Sequence, residues 1–115
     1  MTLSALKQAT QLHGYTVFDY SDFFTKMFLA GLGLYSKTKT AKGLTVKDSK
    51  GNIIIFIDDS ISEEKQLFVL AHELGHILLN HLDNPNSNGK QQEIEADRFA
   101  MAITGRTSFL ENETM

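Results

Sequence analysis

The chain has 115 residues, 42% hydrophobic and 22% charged, which fits one globular domain with a modest core and is too short for two. A net charge of -3, from 11 Lys and Arg against 14 Asp and Glu, argues against nucleic acid as a direct partner, because phosphate binding needs a basic surface. The absence of cysteine excludes a disulfide framework and any thiolate metal site.

The element pattern begins with Leu3, Leu6 and Ala9, whose spacing predicts an amphipathic helix ending near Gly14. Met1 to Thr10 lacks the basic-then-apolar order of a signal peptide. Tyr15 to Tyr20 alternates as a short strand does. Ser21 or Asp22 can cap a second, apolar helix running toward Gly31 and Gly33. The stretch Phe23 to Tyr35 is the most apolar in the chain, but Lys26 interrupts it and it is shorter than the ~20 residues that span a bilayer. The chain is therefore expected to be soluble and cytoplasmic, with no membrane partner.

Five lysines between Lys37 and Lys50 read as a solvated loop and hairpin surface. Gly43 to Lys47 and Asn52 to Ile57 read as paired antiparallel strands joined by the turn Asp48-Ser49-Lys50-Gly51. Ser60 with Glu63 makes a capping box, with Ser62 as a rival N-cap, for a helix from about Glu63 to Asn80. Asp83 to Gly89, which holds the single proline Pro85, is the clearest loop. A last helix is expected over Gln91 to Ile103, stopping near Gly105.

The chemistry lies in Ala71-His72-Glu73-Leu74-Gly75-His76. Residues four apart on a helix are about 40° apart around its axis. His72 and His76 can therefore present both imidazoles to one ion, and Zn2+ takes neutral imidazole nitrogen while keeping a position open. Glu73 lies one step round from His72, where it can act as general base on a water and pass the proton to a leaving amine. The flanking Phe68, Val69, Leu70, Leu74, Ile77, Leu78 and Leu79 bury this helix and exclude water. Two incidental histidines in such a helix would be costly to bury without partners.

A third ligand is required. His81 lies nine residues beyond His72, about 180° round a continuous helix, so it reads as a helix-end residue, as does His13. The better source is Glu93-Ile94-Glu95-Ala96-Asp97. Glu93 and Asp97 share a face, as a ligand and an orienter of a ligating histidine. Glu95 is displaced by about 200° from Glu93, so a regular helix offers one or the other; Glu93 is the first candidate and Glu95 the second.

The stretch EEKQLFVLAHELGH at Glu63 to His76, followed by EIEADRFA at Glu93 to Ala100 and preceded by the hairpin GLTVKDSKGNIIIFID, resembles the ImmA/IrrE family of metallopeptidases. The resemblance implies a gluzincin-like zinc site, with His72, His76 and Glu93 as ligands and Glu73 as catalytic base. It also implies a protein substrate. Family members commonly sit beside helix-turn-helix repressors of phages, mobile elements or stress operons, and typically cleave that repressor. The strand Asn52 to Ile57 is expected to pair with an extended substrate. After Ala100 the chain departs from the Leu-Leu-Met-Pro-like continuation common in the family.

The expected fold is a single α+β, zincin-like domain over residues 1–115, with a short antiparallel sheet packed on the motif helix. The expected activity is zinc-dependent endoproteolysis. The alternative is a non-catalytic, metal-stabilised antirepressor or toxin-antitoxin binding module; a DNA-binding regulator is weaker on charge. Tyr15, Tyr20, Tyr35 and His81 are open candidates for an oxyanion-stabilising group. The sequence does not specify an oligomeric state.

Overall fold

The computed structural model describes residues 1–83 and 89–105. In chain order it has α1 (Leu3–Leu12), β1 (Thr16–Asp19), α2 (Phe23–Gly31), a short 3-10 helix (Tyr35–Lys39), β2 (Gly43–Lys47), β3 (Ile53–Ile57), α3 (Glu63–Leu78) and α4 (Gly89–Thr104). The chain is α+β, with three strands and four α-helices among the described residues. The loop expected at 84–88 falls outside them. Among the described residues no helix is long and apolar enough to cross a membrane.

The strand order is β1-β3-β2. β2 and β3 pair antiparallel, with Leu44 opposite Phe56, whereas β1 pairs with β3 in parallel, with Phe18 opposite Phe56. The sheet is therefore mixed rather than antiparallel. Asp19 and Gly43 both lie opposite Ile57, so residues 20–42, which carry α2 and the 3-10 helix, join β1 to β2 at one end of the sheet, and β2 itself returns the chain to the start of β3. Strand alternation fixes which side chains share a face, not the direction of a neighbour, so the parallel pair left no trace in the pattern. β3 is also the central strand, so its backbone groups are occupied on both sides. It cannot receive a substrate strand, and the sheet edges are β1 and β2.

Its central place explains why Ile53 to Ile57 is apolar at every position: both faces are covered. Ile55 and Ile57 pack with Phe68, Leu70, Ala71 and Ala100 in the main core, which α1, α3 and α4 close. Phe56 turns to the opposite face and joins Tyr20 and Leu29, flanked by Leu44, Val46 and Ile54. β2 follows the same alternation, so Gly43 and Thr45 face α3 while Leu44 and Val46 face away.

Helix starts follow local chemistry. Asp22 caps α2 by accepting from the N–H groups of Phe24 and Thr25. Ser62, rather than Ser60, caps α3 by accepting from Lys65. Ser60 is already bonded through its N–H and hydroxyl to the Asp58 carboxylate. Residues Gln66 to Gly75 are all buried, which makes α3 the central helix of the molecule.

Candidate metal centre

α3 carries His72, Glu73 and His76 across the face covered by β2 and α4. Two close approaches set their positions. A Cβ on Gly43 would stand 2.6 Å from Val69 Cγ1 and 3.1 Å from Glu73 Cγ, so glycine lets β2 lie directly against the motif helix. A Cβ on Gly75 would stand 3.1 Å from Ala96 Cα and 3.2 Å from Ala96 O, which are backbone atoms of α4. Gly75, inside the motif, is thus the contact that lets α4 cross near enough to deliver its carboxylates.

The delivered group is Glu93. Its Oε2 lies 2.7 Å from His72 Nε2 and 3.1 Å from His76 Nε2, and the two ring nitrogens are 3.2 Å apart. Ligand atoms about 2.05 Å from a tetrahedral zinc ion stand ~3.3 Å apart, so these three atoms are already spaced to share one ion. Potential ligand atoms of His72, Glu73 and His76 also lie within 4.8 Å of one another. Glu73 is nevertheless the weaker choice as ligand, because Thr45 Oγ1 donates to its Oε1 at 2.7 Å and Glu93 approaches both rings closely. The residues fit a metal ion of the imidazole- and carboxylate-binding kind.

The electrostatics match this division. Burial pushes the Glu73 carboxyl up, and the Thr45 hydrogen bond and the nearby imidazoles of His72 and His76 offset part of that rise. Hydrogen bonds from His72 and then His76 hold the Glu93 carboxyl far below the usual carboxylate range. Burial alone would depress His76, but the Glu93 hydrogen bond and the charges of Glu73 and Glu93 outweigh it and raise the imidazole. His72 Nδ1 is buried with no hydrogen-bond partner among the described residues. Asp97 is half-buried one turn beyond Glu93.

His81 and Glu95 stand together. Leu78 ends α3, so the continuous-helix geometry that put His81 on the far side does not apply. His81 is buried, its Nδ1 lies 2.9 Å from His76 Nδ1, and its Nε2 lies 2.9 Å from Glu95 Oε1. Glu95 therefore engages His81 while Glu93 meets the two motif histidines.

A cleft of about 500 Å3 opens onto Glu73, His76 and Glu93, bounded on other sides by Lys37, Thr45 and Gln92. Of the four groups considered for oxyanion stabilisation, His81 alone lines it. Tyr20 donates its hydroxyl to Ala41 O at 2.8 Å, and burial and the charges of Glu73 and Asp58 push its phenol up. Tyr15 packs edge-on against His13, and Tyr35 borders a separate pocket beside Asp58 and Asp59. Sequence reasoning missed Thr45, Gly43 and Lys37. Strand alternation gave no signal for Thr45, since it groups Thr45 with Gly43 and Lys47 opposite the apolar Leu44 and Val46.

A family model described as the IrrE N-terminal-like domain, of the M78 peptidases, matches residues 34–105. No curated protein and no solved structure matches the chain significantly. The matched span runs from the 3-10 helix to the end of α4 and contains both stretches that carried the resemblance, HELGH and EIEAD. It covers more than half of the 115 residues. The chain therefore belongs to the M78, or ImmA/IrrE, family of peptidases.

Proposed function

We propose that this protein is a zincin-like, zinc-dependent endopeptidase of the cytoplasm that cleaves a protein substrate, a helix-turn-helix repressor of a phage, mobile element or stress operon. The observation that carries the reading is the convergence of His72 Nε2, His76 Nε2 and Glu93 Oε2 within 3.2 Å, beside a buried Glu73 carboxylate. His72, His76 and Glu93 are the proposed ligands, and Glu93 is preferred to Glu95 because Glu95 is engaged with His81. Asp97 is the proposed orienter of His72, whose Nδ1 is buried and unpartnered among the described residues. The chemistry that a bound zinc ion supplies is Lewis acidity, which polarises the scissile carbonyl and acidifies water.

Glu73 performs the proton transfers. Its buried carboxylate, pushed up by burial, takes a proton from the attacking water and gives it to the departing amine nitrogen. Thr45 holds one carboxylate oxygen by donating to it, which orients the other. The edge of β2 runs past Glu73, and pairing of an extended peptide with that edge brings a backbone carbonyl over the site. This role belongs to β2 rather than to β3.

The test combines metal content with Glu73→Gln. The purified protein is expected to hold about one zinc per chain. Glu73→Gln should keep that zinc and lose cleavage of the repressor encoded beside it. Unchanged cleavage sinks the mechanism. If repression is relieved in cells equally by Glu73→Gln, the protein acts instead as a non-catalytic, metal-stabilised binding module.

A further inference from the structure

His76 is engaged on both sides of its ring. Its Nε2 faces His72 and Glu93, and its Nδ1 faces His81, which in turn faces Glu95. This second arrangement is built by the end of α3. Asn80 takes a φ of 63°, the left-handed conformation, just beyond the helix cap Leu79. The Asn80 N–H donates to Ile77 O at 3.1 Å and the His81 N–H to His76 O at 2.9 Å. These are the two bonds of a Schellman helix end. The reversal brings the His81 ring over the His76 ring, with centroids 5.1 Å apart. α4 supplies the last member, giving Glu93 to the inner side and Glu95 to the outer side of one histidine pair.

The donor directions follow from chemistry. A carboxylate only accepts, so the nitrogen of His81 that faces Glu95 carries the proton. A neutral imidazole has one N–H, so His81 Nδ1 is then an acceptor. It must receive the Nδ1–H of His76. Without a metal ion His76 Nε2 shares a proton with Glu93; were an ion to displace that proton, the lone pair of His76 would lie on Nε2, the atom directed at His72 and Glu93. One carboxylate thereby fixes the tautomer of a ring it does not touch.

We infer that Glu95 and His81 are positioning residues: a carboxylate–histidine relay that holds His76 in its Nδ1–H tautomer and in the orientation for binding a metal ion. The inference rests on His76 being a ligand. It distinguishes the two histidines of the motif: His76 Nδ1 meets His81, whereas His72 Nδ1 has no hydrogen-bond partner among the described residues and Asp97 is its proposed orienter. Outer partners of ligating histidines are commonly worth 10–100-fold in metal affinity.

The experiment is a zinc titration of the full chain against a chromophoric chelator, with long-range 1H–15N correlation of the imidazoles in the zinc-loaded protein. His81→Leu should weaken zinc binding by about 10–100-fold, and Glu95→Gln by about five- to tenfold. The double variant should bind no more weakly than His81→Leu, because Glu95 acts only through His81. His81→Asn, whose amide oxygen can stand in place of Nδ1, should recover most of the loss. The wild-type spectrum should show His76 protonated at Nδ1. Additive losses, affinities within about threefold of wild type, or His76 coordinated through Nδ1 overturn the relay. Should His81→Leu fail to fold, Glu95→Gln and the wild-type tautomer decide the matter. A wild-type protein that binds no zinc overturns the ligand reading and the relay together, whereas a zinc-binding wild type with unaffected variants overturns the relay alone.

Discussion

The two faces of the sheet are built to different standards. On the α3 face an apolar floor of Ile55, Ile57, Phe68 and Leu70 supports a polar layer in which Thr45, Glu73, His76, His81, Glu93 and Glu95 all have partners. On the α2 face Tyr20, Leu29 and Phe56 are the buried apolar residues among those described, while Phe24 is 77% and Phe23 68% exposed. Phe18, Met27 and Phe28 border an open cleft on that side. The family match begins at residue 34, so α2 and β1 lie outside it. The difference teaches that apolarity alone does not bury a segment. Phe23 to Gly31 is more apolar than α4, yet α4 is pinned by Gly75 and Ala96 and orders its acids, whereas among the described residues α2 leaves Phe23, Phe24 and Met27 exposed.

Four tests would break or sharpen that contrast. The largest effect is expected from Glu73→Gln on the polar layer, a loss of about 10²–10⁴-fold in kcat for cleavage of the proposed protein substrate with zinc stoichiometry unchanged. Next is a pair of phenylalanines. Phe56→Ala, at the centre of the sheet, should cost ~3–5 kcal/mol in urea unfolding, whereas the exposed Phe24→Ala should lie within about 0.5 kcal/mol of wild type. Equal losses would mean that α2 is buried in solution.

A pair of glycines is subtler. Gly75→Ala pushes on the α4 backbone, so it should destabilise by ~1–3 kcal/mol and also weaken zinc binding as Glu93 withdraws. Gly31→Ala, in a helix with nothing within 4 Å, should be neutral or stabilising by up to about 1 kcal/mol, with no effect on zinc. The smallest change is Thr45→Val. Thr45 lowers the Glu73 carboxyl by donating to it, so losing that bond raises it. The acid limb of the pH–rate profile should then move to higher pH. A shift to lower pH would count against Glu73 as the base.

Much of this was legible in the chain because it rests on local rules. The His72–His76 spacing, the caps (Asp22 where Ser21 was the other candidate, Ser62 where Ser60 was put first), and the turn at Asp48 to Gly51 each involve atoms within a few residues of one another. The third carboxylate was half legible. Periodicity put Glu93 and Glu95 on different sides of one helix but could not say which side meets α3, since that depends on how α4 crosses at Gly75.

The sequence by itself determined the element types, the motif helix and the family, because side-chain period, capping and ligand spacing are properties of short windows. Tertiary structure decided the parallel pairing of β1 with β3, the central place of β3, the Thr45–Glu73 bond and the exposure of α2. It also turned His81 from a helix-end residue into a neighbour of His76, through one left-handed residue at Asn80. The physical reason is common to all of these. Each depends on where distant elements approach, and a single dihedral or the lack of one Cβ redirects that approach without altering the local pattern.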